Sequence, residues 1–333
     1  MANRVRAVQK TYSCLNRGKL VEKFRLFPHQ TKAKQRYLLD FDVATIIASK
    51  LDVNDSLVYE CNPGSGVLSR TLLNHNAKKV VGLEQNRKFL PYLKELEIES
   101  NNRFKLEFAD IGKLDVAGPG IPPAVSSHKL LEGVNRVPWS DNQLVAKLVG
   151  IEKEKTAPAN LMNLLLHMLR RSGFFSHGRI EIALLFTGDR AQKLLAQPGD
   201  VTYNRLAILA GMLCDVTLLH SESNISFDPL PATGYGDTPP QMHLISLRPK
   251  KDFDLMVPPS SILLVPKFLK LLTIKTSRPL AQAMDSVSPG SHILLRELGL
   301  DENVKPFDLT PFQYQLLFEL FFNWEDRMLD LLG

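Results

Sequence analysis

The chain has 333 residues, too many for one small core, so a large domain with a smaller companion is the expectation. Apolar residues make up 44% and charged residues 23%, the balance of an ordinary globular protein, and no apolar run approaches the ~18 residues needed to cross a bilayer, which argues against a membrane protein. The net charge of +6 is uneven: residues 1–36 hold ten Lys or Arg against the single acid Glu22, a charge of +9, which leaves −3 for the other 297 residues.

Cys14, Cys61 and Cys214 lie far apart and the histidines are scattered, so neither a disulfide framework nor a zinc site is expected. Residues 1–20, "MANRVRAVQKTYSCLNRGKL", contain no acid and space Val5, Val8, Tyr12 and Leu15 in a roughly helical way. That composition suits a mitochondrial targeting segment, an arm that neutralises phosphates, or a plain solvated terminus.

Periodic structure begins at residue 37. In "YLLDFDVATIIASKL" Leu39, Val43, Ile46 and Ile47 share one helical face. Strands are expected at 56–61, 79–84, 104–110, 144–151 and 179–186, separated by helical stretches, which implies parallel βαβ units with helices on both faces of a sheet. Residues 118–127 read as a surface loop. After the helix "NRLAILAGMLC", "DVTLLHSE" and "MHLISLRP" flank a long Pro/Gly loop too irregular to hold a helix, so they should pair antiparallel at one end of the sheet. From about residue 251 the chain reads as helices, with Pro311 suited to the first turn of the last one. The expected divisions are a basic segment 1–36, a body 37–250 and a helical domain 251–333, with the boundary near "PKKDFD".

The stretch "YECNPGSGVLSR" runs from a strand through glycines into a helix, which suits close approach of the backbone to a nucleoside. Glu60, Gly64 and Gly66 fall here. Glu84 ends the next strand, placed to accept from ribose hydroxyls, and Asp110 ends the one after, placed to accept from an adenine amino group. The pattern GxG, rather than GxGxxG, favours S-adenosylmethionine over NAD as cofactor. The plainer alternative is a tight strand–helix turn with ordinary solvated acids.

"RYLLDFDVATII", "ECNPGSGVLSRTLL", "VVGLE", "VPW", "GRIEIALLF", "KLLAQPG" and "SFDPLP" together resemble the rRNA adenine N6-dimethyltransferase family, and within it the mitochondrial transcription factor B offshoot of fungi and animals. The resemblance runs from about residue 34 to the end. It implies a class I S-adenosylmethionine-dependent methyltransferase (Rossmann-like) α/β fold with a small helical C-terminal domain. It also implies a monomeric mitochondrial protein that binds the single-subunit mitochondrial RNA polymerase and the single-stranded non-template region of promoter DNA, with RNA as a further partner. Gly64 and Gly66 match the cofactor loop, Glu84 the ribose acid and Asp110 the adenine acid.

Two departures bear on activity. Asn62 stands where the methyltransferases carry a further glycine, crowding the methionine part of the donor. The fourth strand runs into Ile151, Glu152, Lys153 and Glu154, where active members have Asn-Leu-Pro-Tyr to grip and stack the flipped adenine. Methyl transfer is therefore expected to be absent or vestigial, with rRNA adenine dimethylation as the alternative function. Candidates for nucleic-acid contact are Arg25, Lys32, Lys34 and Arg36 leading into Tyr37, then Arg170, Arg171 and Arg179 around Phe174 and Phe175, and Phe227. The plainer reading of "RRSGFFSHGR" is a helix end with cations near its C-terminus and phenylalanines in the core.

Overall fold

In chain order the elements are α1 (Arg17–Phe24), β1 (Tyr37–Leu38), α2 (Phe41–Lys50), β2 (Leu57–Cys61), α3 (Val67–Asn74), β3 (Lys79–Leu83), α4 (Leu90–Glu99), β4 (Phe104–Glu107), α5 (Ser127–Leu130), β5 (Ala146–Ile151), α6 (Ala157–Leu169) and β6 (Ile180–Thr187). Then come α7 (Gly188–Leu195), α8 (Arg205–Leu213), β7 (Cys214–Ser223), β8 (Phe227–Asp228), β9 (Gln241–Pro249), α9 (Leu264–Leu272), α10 (Leu280–Val287), α11 (Leu294–Glu297) and α12 (Pro311–Asn323). The computed structural model describes residues 11–26, 35–116, 121–151, 153, 156–229, 241–274 and 277–328.

The main sheet has the order β4-β3-β2-β5-β6-β9-β7. Its first five strands are parallel, and β9 and β7 run antiparallel at one end, as the long Pro/Gly connection requires. Strand side chains alternate between faces. Val58, Val80, Val149 and Ala183 pack on the side that carries α2, α3 and α4, whereas Tyr59, Val81, Leu148 and Ile182 pack on the side of α6 and α8. Burial on both faces is why these strands read as continuous apolar runs. Chain order reverses between β2 and β5, so the crevice outside the carboxyl ends of those two strands is the natural ligand edge.

The helices after residue 251 extend the α6/α8 core. Phe268 of α9 lies 5.4 Å from Phe318 and 5.1 Å from Phe321 of α12, ring centre to ring centre. These rings share one apolar cluster with Leu164 of α6 and Leu209 of α8. Pro311 opens α12, and Thr310 and Gln313 satisfy each other's backbone N–H groups around it. Tyr314, Leu317 and Phe318 are fully buried, so the apolar face of α12 is core.

Part of the basic amino end is also folded. Tyr12, Leu20 and Phe24 are buried, and the Phe24 ring lies 4.7 Å from that of Phe89 at the start of α4. The Tyr12 N–H donates to Asn74 at 2.8 Å, and Arg17 pairs with Asp228 of β8 at 2.6 Å. Residues 1–10, half of the stretch with targeting composition, lie outside the described residues.

Candidate functional site

The loop after β2 turns through three left-handed residues: Asn62 at φ 53°, Gly64 at 59° and Gly66 at 74°. Asparagine tolerates this region better than most side chains, which explains how it can stand in a glycine's place. Gly64 is required on space as well. A Cβ there would come within 2.5 Å of the Tyr37 ring, which β1 presses onto the loop.

Glu84, at the end of β3, is buried and closes this loop. Its Oε2 accepts from the Gly64 N–H at 2.9 Å and its Oε1 from the Asn86 N–H at 2.6 Å. Glu60, inside the end of β2, accepts from the Ser69 hydroxyl at 2.5 Å. Asp110 accepts from the Gly112 N–H through Oδ1, and its Oδ2 lies 2.7 Å from the Lys153 ammonium. Across the loop, Asn62 Nδ2 donates to the Ile151 carbonyl at 2.9 Å. The loop, Glu84, Asp110 and the end of β5 are thus brought to one edge of the sheet.

Burial raises the Glu60 carboxyl from its ordinary 4.5 to about 8, opposed by the Ser69 hydrogen bond and assisted by the nearby Glu84 charge. Burial likewise lifts Glu84 to about 7, against the hydrogen bonds from Asn86 and Gly64 and the Lys153 charge. Tyr37 is pushed upward by burial and then by Glu84. A raised folded-state value means that the native protein binds the proton more tightly than the unfolded chain. The stability that Glu60 contributes is therefore fully present below about 4.5 and lost as pH rises toward about 8. Glu60→Gln removes the charge but keeps an acceptor for Ser69. It is expected to stabilise the protein by on the order of 2 kcal/mol at pH 8 and negligibly at pH 4.5. Guanidinium unfolding at the two pH values checks this, and an equal effect at both would show that Glu60 is not the titrating group.

The expected nucleic-acid residues are dispersed. Arg25 is exposed at the end of α1, and Arg170 is exposed at the end of α6. Arg36 donates to Asn224 Oδ1 at 2.9 Å, beside the β1/β8 pair. Lys32 and Lys34 lie outside the described residues. Arg171 stacks over Trp139 and donates to the Phe253 carbonyl at 2.7 Å.

Three expectations are corrected. Arg179 is buried, its guanidinium donating to the carbonyls of Pro249 and Asp141, so it ties strands to loops and reaches no phosphate. Phe227 is fully buried and Tyr37 is 5% exposed, so neither ring offers a face to a base in this conformation. Phe174 and Phe175 are core, in line with the plainer reading of "RRSGFFSHGR". Among the described residues no helix is long and apolar enough to cross a membrane, and no group of His, Cys, Asp and Glu could hold a metal.

Sequence reasoning missed the partners of these groups. In the sequence Lys153 marks only the absence of a proline, although a lysine just past β5 faces Asp110, three residues beyond β4. Asn86 and Ser69, which hold Glu84 and Glu60, carried no signal beyond being short polar residues near strand and helix ends. The site fits S-adenosylmethionine in part. Glu84, Asp110 and the Gly64–Gly66 cradle would hold a nucleoside, with Lys153 already paired to Asp110 Oδ2, whereas the Asn62–Ile151 bridge closes the end where methyl transfer would take place.

Comparison with known proteins agrees with this fold. A dimethyladenosine transferase from Plasmodium falciparum and the 23S rRNA methyltransferase ErmE each superpose with a TM-score of 0.58 at 16% identity, covering 85% of this chain and 97% or 98% of theirs. The fold is that of the class I S-adenosylmethionine-dependent methyltransferases. The human protein named dimethyladenosine transferase 2, mitochondrial, is 29% identical over 306 residues, 86% of this chain and 77% of its own. Dimethyladenosine transferase 1, mitochondrial, of Vermamoeba vermiformis is 26% identical over 337 residues, 93% and 95% of the two chains. The mitochondrial names of these relatives agree with the expected localisation. The family model for ribosomal RNA adenine dimethylase matches residues 27–321, and the chain belongs to that family.

Proposed function

We propose that the chain is a mitochondrial transcription initiation factor that binds the single-subunit mitochondrial RNA polymerase and holds the non-template strand of a melted promoter, with methyl transfer lost. The observation that carries this reading is the end of β5. Presenting an adenine N6 to a donor needs acceptors for its hydrogens and an aromatic face for the base. Ile151 occupies the amide position, its carbonyl is engaged by Asn62, and the next described residue, Lys153, is paired with Asp110. Without that positioning much of the ~7–11 kcal/mol that orientation can supply is forfeited. The +9 charge of residues 1–36, with Arg25 exposed at the end of α1, supports contact with a strand through phosphate neutralisation, which is indifferent to sequence.

The expected result is that run-off transcription from a closed linear promoter depends on this protein, while a template with a pre-melted bubble largely relieves the dependence. Equal transcription from the closed promoter by polymerase alone would dispose of the reading. A second reading, rRNA adenine N6-dimethylation, is favoured by the names of the relatives and by the retention of Glu84 and Asp110. Labelled S-adenosylmethionine and an rRNA hairpin with adjacent adenines decide between the two: no label in the RNA is expected, and accumulation of dimethyladenosine would put the second reading in place of the first.

A further inference from the structure

We propose that the groove between α6, α8 and α9 is a docking site for an amphipathic helix of a partner protein, one that presents aliphatic side chains flanked by Asp or Glu. The groove encloses about 490 Å³, room for several aliphatic side chains. Its walls are Met162 and Leu166, one turn apart on α6, Leu206 and Leu209 of α8, and Leu269 of α9. Residues three and four apart on a helix are neighbours, so two such pairs make two ridges along the groove, which suits an inserted helical row. Met162, Leu166 and Leu206 are only partly buried although they line an apolar surface.

Charge at the rim selects the partner. Arg205 and Lys270 are exposed at the groove, and its described lining residues include no Asp or Glu. Arg205 is also the first residue of α8, where the positive end of the helix dipole adds to the same potential. An acidic helix is attracted and oriented by that rim, and a basic one is repelled. The groove shares no residue with the cofactor edge, so the inference does not depend on the function proposed above.

The test uses the full chain and two labelled helical peptides with leucines at i, i+3, i+4 and i+7, one with flanking glutamates and one with flanking lysines. Fluorescence anisotropy is expected to show the glutamate peptide binding at least about tenfold more tightly, a preference that shrinks with added salt. The exposed double variant R205E/K270E is expected to stay folded and to reverse the preference. Equal affinity for the two peptides, no binding of either, or an unchanged preference in R205E/K270E would overturn the proposal. So would sedimentation showing that the chain self-associates through this groove, with the dimer lost in R205E/K270E, since the occupant would then be a second copy.

Discussion

Lys147→Met is expected to cost about 3–5 kcal/mol of folding stability, the penalty for stranding a buried charge. Lys147 of β5 stands directly across from Glu181 of β6, and its ammonium lies 2.7 Å from Glu181 Oε2. Ser246 of β9 donates to the other carboxylate oxygen at 2.6 Å, so one acid links three adjacent strands. Both charged side chains are only about 10% exposed. With methionine at position 147 the carboxylate keeps a single hydroxyl partner in a poorly solvated place. The double variant K147M/E181L removes both charges and is expected to recover most of the loss, because two well-packed apolar side chains can replace a buried pair at little cost. Urea unfolding of the parent, the single and the double variants checks the cycle. A single variant within about 0.5 kcal/mol of the parent would mean that the pair is effectively hydrated.

The second large effect is expected at Gly150→Ala. Gly150 pairs with Cys61 where the strand order reverses, and it adopts φ 135°. A Cβ there would lie 2.3 Å from the Cys61 carbonyl oxygen and 2.9 Å from its nitrogen, both backbone atoms that cannot rotate away. Overpacking costs about 1–3 kcal/mol and an unfavourable backbone conformation a similar amount, so roughly 4 kcal/mol is expected in all. A melting temperature lower by on the order of 10 °C is the corresponding observation. Gly133→Ala is the control: its φ is 72° and nothing lies within 4 Å of the added carbon, so it carries only the backbone cost. Equal losses at the two positions would refute the argument from space.

The cofactor edge was legible in the sequence to the extent that strand ends were. Glu84 follows the apolar run 80–83, which marks a strand buried on both faces, and Asp110 follows "FKLEFA", whose alternation marks an edge strand, so the sheet edge on which each acid falls can be read directly. The antiparallel β7 and β9 were legible because 19 loop residues between two apolar runs offered no helix to carry a parallel crossover. What could not be read was pairing at a distance in the chain. Nothing local in "IEKE" shows that Lys153 reaches Asp110, 43 residues away, nor that the Asn62 amide spans 89 residues to Ile151. Arg179 and Phe227 failed for a related reason. Residue type supplied a cation and an aromatic, but backbone carbonyls from the end of β9 and from a remote loop consume one, and burial in the β1/β8 pair covers the other.

The seating of the amino end on the body limits any maturation by proteolysis. Tyr12 is held by Asn74, Arg17 by Asp228 and Phe24 by Phe89. Any cut that keeps all three contacts falls upstream of Tyr12, and scission beyond Phe24 would strip away a latch that fastens three separate parts of the body.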